Sequence, residues 1–216
     1  MLSFSPAEPL HRVLAIGCHA DDIEIGCGGT LLRLARTNPG LEVDWVVLAA
    51  AGGRADEARA SAEAFLEGVV SYRVEVLGFR DGFLPYVGGE VKDAFEALKG
   101  RVDPQLVLTH AGHDAHQDHR LACELTWNTF RDHAILEYEI PKVDGDLGRP
   151  NFYVPLSNEV VEQKLALLGK HFPSQAGKHW FDRDTFLGLM RLRGMECVAP
   201  DGYAEAFTAR KTVLVP

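Results

Sequence analysis

The sequence predicts a single Rossmann-like α/β domain, a mostly parallel sheet with helices on both faces. Short apolar runs alternate with helix-like segments as far as Ile140. Glycine, proline and asparagine punctuate the joins between them. The 216 residues contain no internal repeat, low-complexity tract or clear linker, so residues 1–216 read as one domain.

The first run, Val13-Leu14-Ala15-Ile16-Gly17, is short and bounded by polar residues, as a buried strand is. A polar, glycine-containing turn follows. A helix then runs through Thr30–Arg36, and Asn38-Pro39-Gly40 stops it. Glu42–Ala50 is the second strand, ending at Gly52-Gly53, and the Ala- and Glu-rich Ala55–Leu66 is the next helix. Arg73–Leu77 and Gln105–Thr109 read as strands around a helix at Val91–Lys99. Arg120–Arg131 is helical and Ala134–Ile140 extended. Right-handed crossovers between successive parallel strands give the layering. Beyond Pro141 the pattern loosens: 143–150 is a turn-rich loop, and helices are expected at Asn158–Gly169 and Thr185–Arg193.

Hydrophobic residues make up 46% of the chain, enough to bury a core without disulfide staples. The four cysteines form no CxxC pair, which suits free thiols in a reducing compartment. The first residues lack a basic region leading into an apolar one, and no apolar run is long enough to span a bilayer. A cytoplasmic protein without membrane insertion is expected. The net charge of −9 disfavours nucleic acid as a partner.

Ligands of such sheets gather at the carboxyl ends of the strands. The first strand ends in Cys18-His19-Ala20-Asp21-Asp22-Ile23-Glu24, and the fourth runs into His110 to His119. If the two strands are neighbours, five of the nine histidines and five acidic residues share one rim. Zinc catalysis needs three His or carboxylate ligands and an open position for water. It also needs an unligated carboxylate to take a proton, and a donor for the oxyanion. The two clusters contain all these parts.

At these residues the chain resembles the PIG-L/LmbE-like N-acetylglucosaminyl deacetylase family. His19-Ala20-Asp21-Asp22-Ile23-Glu24 resembles its H-P-D-D-x-E, with Gly28-Gly29 following, and His116-Gln117-Asp118-His119 resembles its H-P-D-H. Arg59-Ala60-Ser61 with Glu63 is similar to an R-x-x-E element, Asp81-Gly82 to a recurrent D-G, and Glu205-Ala206-Phe207 to a final E-A-F. The resemblance implies removal of an acetyl or similar acyl group from the nitrogen of an amino sugar. It implies that His19, Asp22 and His119 bind zinc, with Fe²⁺ compatible with the same ligands. Asp21 would be the general base, and His116 would face the oxyanion with Asp118 fixing its charge and orientation. Arg59 and Asp81 would contact sugar hydroxyls. A small amino-sugar substrate and a homo-oligomer are the implied partners. The family's prolines are replaced by Ala20 and Gln117, positions that supply neither ligand nor proton.

Other readings compete at several positions. His11, His133, His171 and His179 read as ordinary surface or core histidines. Among the four histidines spaced every third residue from 110 to 119, at most two or three can converge, since Gly112 argues against a continuous helix. His116 and His119 are chosen through the resemblance, with His113 as a substitute. Asp21 and Asp22 would also serve a helix N-terminus. Arg59 and Glu63 would make a surface ion pair, and Cys18 and Cys27 small buried hydrophobes. The competing functions are a metal hydrolase of another amide or a phosphoester, and a nucleotide-binding module using rim carboxylates for Mg²⁺. The histidine content speaks against the latter.

Overall fold

Residues 8–213, with Ser3 and Pro6, are described by a computed structural model. Strand β1 (Arg12–Gly17) is buried at every residue after Arg12, as a central parallel strand covered on both faces requires. It pairs in parallel with β2 (Glu42–Val47) on one side and β4 (Leu106–His110) on the other. Further parallel pairing adds β3 (Ser71–Val76) beyond β2 and β5 (Ala134–Tyr138) beyond β4. Two more strands, β6 (Phe152–Leu156) and β7 (Tyr203–Thr208), complete a seven-stranded sheet of order β3-β2-β1-β4-β5-β7-β6. β7 runs antiparallel to both its neighbours.

Side-chain alternation along β1 divides the core. Val13 and Ala15 face one layer, built with α1 (Asp22–Thr37), α2 (Gly53–Phe65), α5 (Asn158–His171) and α6 (Arg183–Glu196). Leu14 and Ile16 face the other, with α3 (Gly88–Lys99) and α4 (Gln117–Thr129). The chain leaves β1 towards β2 on one side and leaves β4 towards β5 on the other. The strand order therefore reverses between β1 and β4, and the loops at their carboxyl ends diverge to open a crevice.

The single α/β domain with a mostly parallel sheet is as expected, and most boundaries differ by only a few residues. Three differences are larger. α1 starts at Asp22 and not Thr30, so the expected turn is two turns of helix containing Gly26, Gly28 and Gly29. These glycines serve close approach: a Cβ on Gly28 would lie 2.6 Å from the Phe65 ring, and one on Gly26 would collide with Tyr138. The second strand stops at Val47, leaving only an isolated bridge from Ala49 to Gly78. β6 and β7 were not expected as strands; β6 is an edge strand and so tolerates Pro155.

Candidate active site

Pairing of β1 with β4 aligns Ala15 with Leu108, so two residues further Gly17 lies level with His110. The two polar segments that follow these strands therefore face each other. His19 stands in the turn between β1 and α1, where its backbone N–H donates to Asp22 Oδ2 at 2.7 Å. His116 caps α4, its Nδ1 accepting the Asp118 backbone N–H at 3.2 Å, and His119 lies one turn on.

Three atoms converge. His19 Nδ1 lies 3.3 Å from Asp22 Oδ2, His119 Nε2 lies 3.2 Å from His19 Nδ1, and His119 Nε2 lies 3.4 Å from Asp22 Oδ2. A tetrahedral ion with bonds of about 2.0–2.1 Å spaces its ligand atoms about 3.3–3.4 Å apart. The triangle fits one face of such an ion. The outer nitrogen of each histidine meets a carboxylate, as metal-binding histidines require for a fixed tautomer. His119 Nδ1 is 2.9 Å from Asp114 Oδ2, and His19 Nε2 is 3.3 Å from Asp118 Oδ2 and 3.1 Å from Asp81 Oδ1.

A second set of donors, Cys18, Asp22, His110 and His119, also lies close together. It is a poor cage. His110 Nε2 takes the Cys18 backbone N–H at 3.0 Å, and the His110 and His119 rings are stacked at 3.8 Å and 17°. Near-parallel rings direct their lone pairs side by side, away from a common point.

Charge is concentrated here at mostly buried positions, with Asp81 at the exposed edge. Burial opposes the imidazolium of His19, but Asp22, Asp118 and Asp81 outweigh it and push its pKa up to about 12. His119 is pushed up to about 9 against burial by Asp22 and Asp114. Asp22 is buried, yet the three histidines around it hold it well below the usual carboxylate range. Burial and the adjacent Asp22 raise Asp21, with Arg54 pulling the other way. His116 is lowered by burial and by the positive charge of His119 and His19. His110 is lowered to about 4, chiefly by burial.

The structure brings His19, Asp21, Asp22, Asp81, His116, Asp118 and His119 to one rim. Within that group Asp118 is directed at His19 and not at His116; it also accepts the backbone N–H groups of Gly82 and Leu84. Gln117, standing where the resemblance expects proline, donates to the Gly82 carbonyl at 3.1 Å and ties the Asp81-Gly82 turn to α4. Arg59 is not at this rim contact: its ion partner is Asp56 at 3.8 Å, and its side chain is half exposed. Arg54 is the arginine that reaches Asp21, with Nη2 at 3.1 Å from Oδ2. The R-x-x-E spacing belongs to Arg54-Ala55-Asp56-Glu57, whereas Arg59 and Glu63 are four apart. His113 packs against Gly148 and not beside His119. His110, Asp114 and Lys142 are further residues of the site that the sequence reading left aside. Their signal was position alone: the last residue of a strand, the acid five before His119, and the first basic residue after β5.

A family profile described as PIG-L, GlcNAc-PI de-N-acetylase, matches residues 14–130, which hold every residue of the triangle. The chain belongs to the PIG-L family. It is accordingly a hydrolytic N-deacetylase. A relative from Escherichia coli K12, YaiS, described as an uncharacterized deacetylase, is 29% identical over 176 residues, 77% of this chain and 94% of that one. Among solved structures, N,N'-diacetylchitobiose deacetylase from Pyrococcus horikoshii superposes with a TM-score of 0.68 at 22% identity, covering 95% of this chain and 87% of that one. GalB, a 4-carboxy-2-hydroxymuconate hydratase from Pseudomonas putida KT2440, superposes with a TM-score of 0.75 at 18% identity, covering 96% and 99%. The PIG-L fold thus carries a hydratase as well, and the two structural likenesses speak for the fold alone.

Proposed function

We propose that this protein removes an acetyl or similar short acyl group from the nitrogen of an amino sugar or its conjugate, with one zinc held by His19, Asp22 and His119. The ligand triangle, with both outer histidine nitrogens braced by carboxylates, is the observation that carries the reading. Fe²⁺ suits the same nitrogen and oxygen donors. When bound, such a metal polarises a carbonyl and lowers the pKa of water towards ~7.

Asp21 is the unligated carboxylate beside that triangle and takes the proton of the attacking water. Its ion pair with Arg54 holds it in place at a buried position. His116 has a lowered pKa, and its Nδ1 accepts a backbone N–H, so the neutral ring carries its proton on Nε2. That proton is the donor for the oxyanion of the tetrahedral intermediate. Asp118 orients His19 and, through Gly82 and Leu84, the turn that carries Asp81. Asp81 has an exposed carboxylate beside His19 and would accept a hydrogen bond from a sugar hydroxyl. The second sugar contact, assigned to Arg59 on the sequence, passes to Arg54. The diacetylchitobiose deacetylase, which shares the fold, is named for an N-acetylated sugar, the substrate class proposed here.

Among the described residues no helix is long and apolar enough to cross a membrane, and all four cysteines are free. Free thiols suit a reducing compartment, and the cytoplasm is the place of action in this reading. The test is a panel of N-acetyl amino sugars assayed for free primary amine, beside Asp21→Asn. We expect amine release by the native protein and a loss of about 10²–10⁴-fold in the variant, with metal content unchanged. Full activity in Asp21→Asn would remove the base assignment. No amine from any sugar, with turnover of another amide or a phosphoester, would remove the substrate class.

A further inference from the structure

We propose that Lys142 is a positioning residue for this reaction: it neutralises two carboxylates that also accept the backbone N–H groups of the segment carrying His116. The inference rests on the assignment of His116 and His119 given above.

Lys142 follows β5 at the start of the turn-rich loop and is largely buried, its side chain 14% exposed. Its ammonium lies 3.0 Å from Asp114 Oδ1 and 2.5 Å from Asp146 Oδ2. Each carboxylate in turn holds the backbone beside His116. Asp114 Oδ1 accepts the His116 N–H at 2.8 Å, and Asp146 Oδ2 accepts the Ala115 N–H at 2.6 Å. The second oxygen of Asp114 reaches His119 Nδ1 at 2.9 Å. One cation therefore links the loop to a ligand of the triangle and to the donor expected at the oxyanion. Arg120 Nη1 also approaches this segment, but it donates to the Asp114 carbonyl and not to either carboxylate. Without Lys142 the two mostly buried like charges would repel: His119 still faces Asp114 Oδ2, whereas Asp146 has no second cation at ion-pair distance among the described residues. They would separate, and Asp146 is the one with a path to water. Ala115 would then lose its acceptor, and the His116 ring would shift from its place against His119, where the centroids are 4.6 Å apart. Displacements of about 1 Å in a catalytic group cost up to about 10²-fold in rate.

The test uses Lys142→Met, Lys142→Arg and the double variant Lys142→Met/Asp146→Asn in the full chain. The expected result for Lys142→Met is at least a tenfold fall in kcat with KM changed less than threefold. In the metal-free protein, amide exchange across 114–117 should quicken at least tenfold. Lys142→Arg should stay within threefold of the native protein. The double variant should regain most of the loss, because asparagine keeps an acceptor for Ala115 and removes the second charge. A lower Tm with unchanged kcat and unchanged exchange would show that Lys142 only fastens the loop, and would overturn the proposal. Should Lys142→Met not fold, Asp146→Ala against Asp146→Asn decides the matter, since only the alanine lacks the acceptor and only it should lower kcat and quicken exchange. Faster exchange as described, in a protein that deacetylates no sugar at all, would leave the coupling standing and refute the function.

Discussion

Replacing Lys164 by methionine removes the charge from a buried ion pair while keeping a side chain of similar length. Lys164 Nζ on α5 donates to the Ile25 carbonyl at 2.6 Å and to Glu205 Oε1 at 2.7 Å, and both side chains are buried. Glu205 on β7 also accepts the N–H groups of Gly29 and Thr30 at 2.8 and 2.6 Å. The pair thus grips the middle of α1, the helix whose first residue is Asp22. Removing one partner of a buried pair costs about 3–5 kcal/mol, because the other charge is left without compensation. Here two backbone donors still face Glu205, so the lower end applies, about 3 kcal/mol. For a domain of this size that is roughly 6–12 °C in Tm, at about 2–4 °C per kcal/mol. The double variant Lys164→Met/Glu205→Gln should recover part of the loss, since the uncompensated charge is gone and the amide oxygen still accepts from one of the two α1 N–H groups, although the amide nitrogen then faces the other. Urea unfolding of the metal-free proteins measures both. A loss below about 1 kcal/mol in the single variant, or no recovery in the double, would refute the reasoning.

The two ligand histidines give a pH dependence of opposite sign with and without metal. Their pKa values in the folded, metal-free chain, about 12 and about 9, lie above the unfolded value of about 6.5. Their stabilisation is therefore complete below pH 6.5, and the share of His119 is lost by about pH 9, so Tm of the chelated protein should fall across that window. Zinc affinity should rise over the same window, because the metal displaces these protons. At pH 7 calorimetry in buffers of different ionisation enthalpy should find about two protons released per zinc, and none released would contradict the charge states. Val198 has φ +55° and is exposed just beyond α6, where glycine is favoured. Val198→Gly should gain about 1 kcal/mol, and a Tm that does not rise would show the strain to be absent.

The sequence disclosed the parallel core because β1 to β5 are each a short apolar run between polar joins. It hid the start of α1, since three glycines in four residues look like a turn until Tyr138, Phe65 and Glu205 are known to press on them. Those neighbours are distant in the chain, and no local pattern announces them. β6 was masked by Pro155, which only an edge position makes acceptable. At the site, the HADD and HQDH motifs were legible because consecutive residues at a strand end or helix cap share one rim. Arg54 was missed for Arg59, five residues on and about 140° around the helix, so only one of them can face Asp21. Asp118 was read as the partner of His116 by adjacency. Capping α4 turns the His116 ring back on the backbone, and the Asp118 carboxylate crosses to His19 instead. Lys142 and Asp114 meet only once β5 lies beside β4.

Metal content of the purified native protein beside His119→Ala, prepared without a metal-binding tag, tests the central claim most directly. One zinc or iron per chain in the native protein, lost in the variant while the fold persists, is the result this account predicts. No metal in either after reconstitution, or equal metal in both, would contradict it.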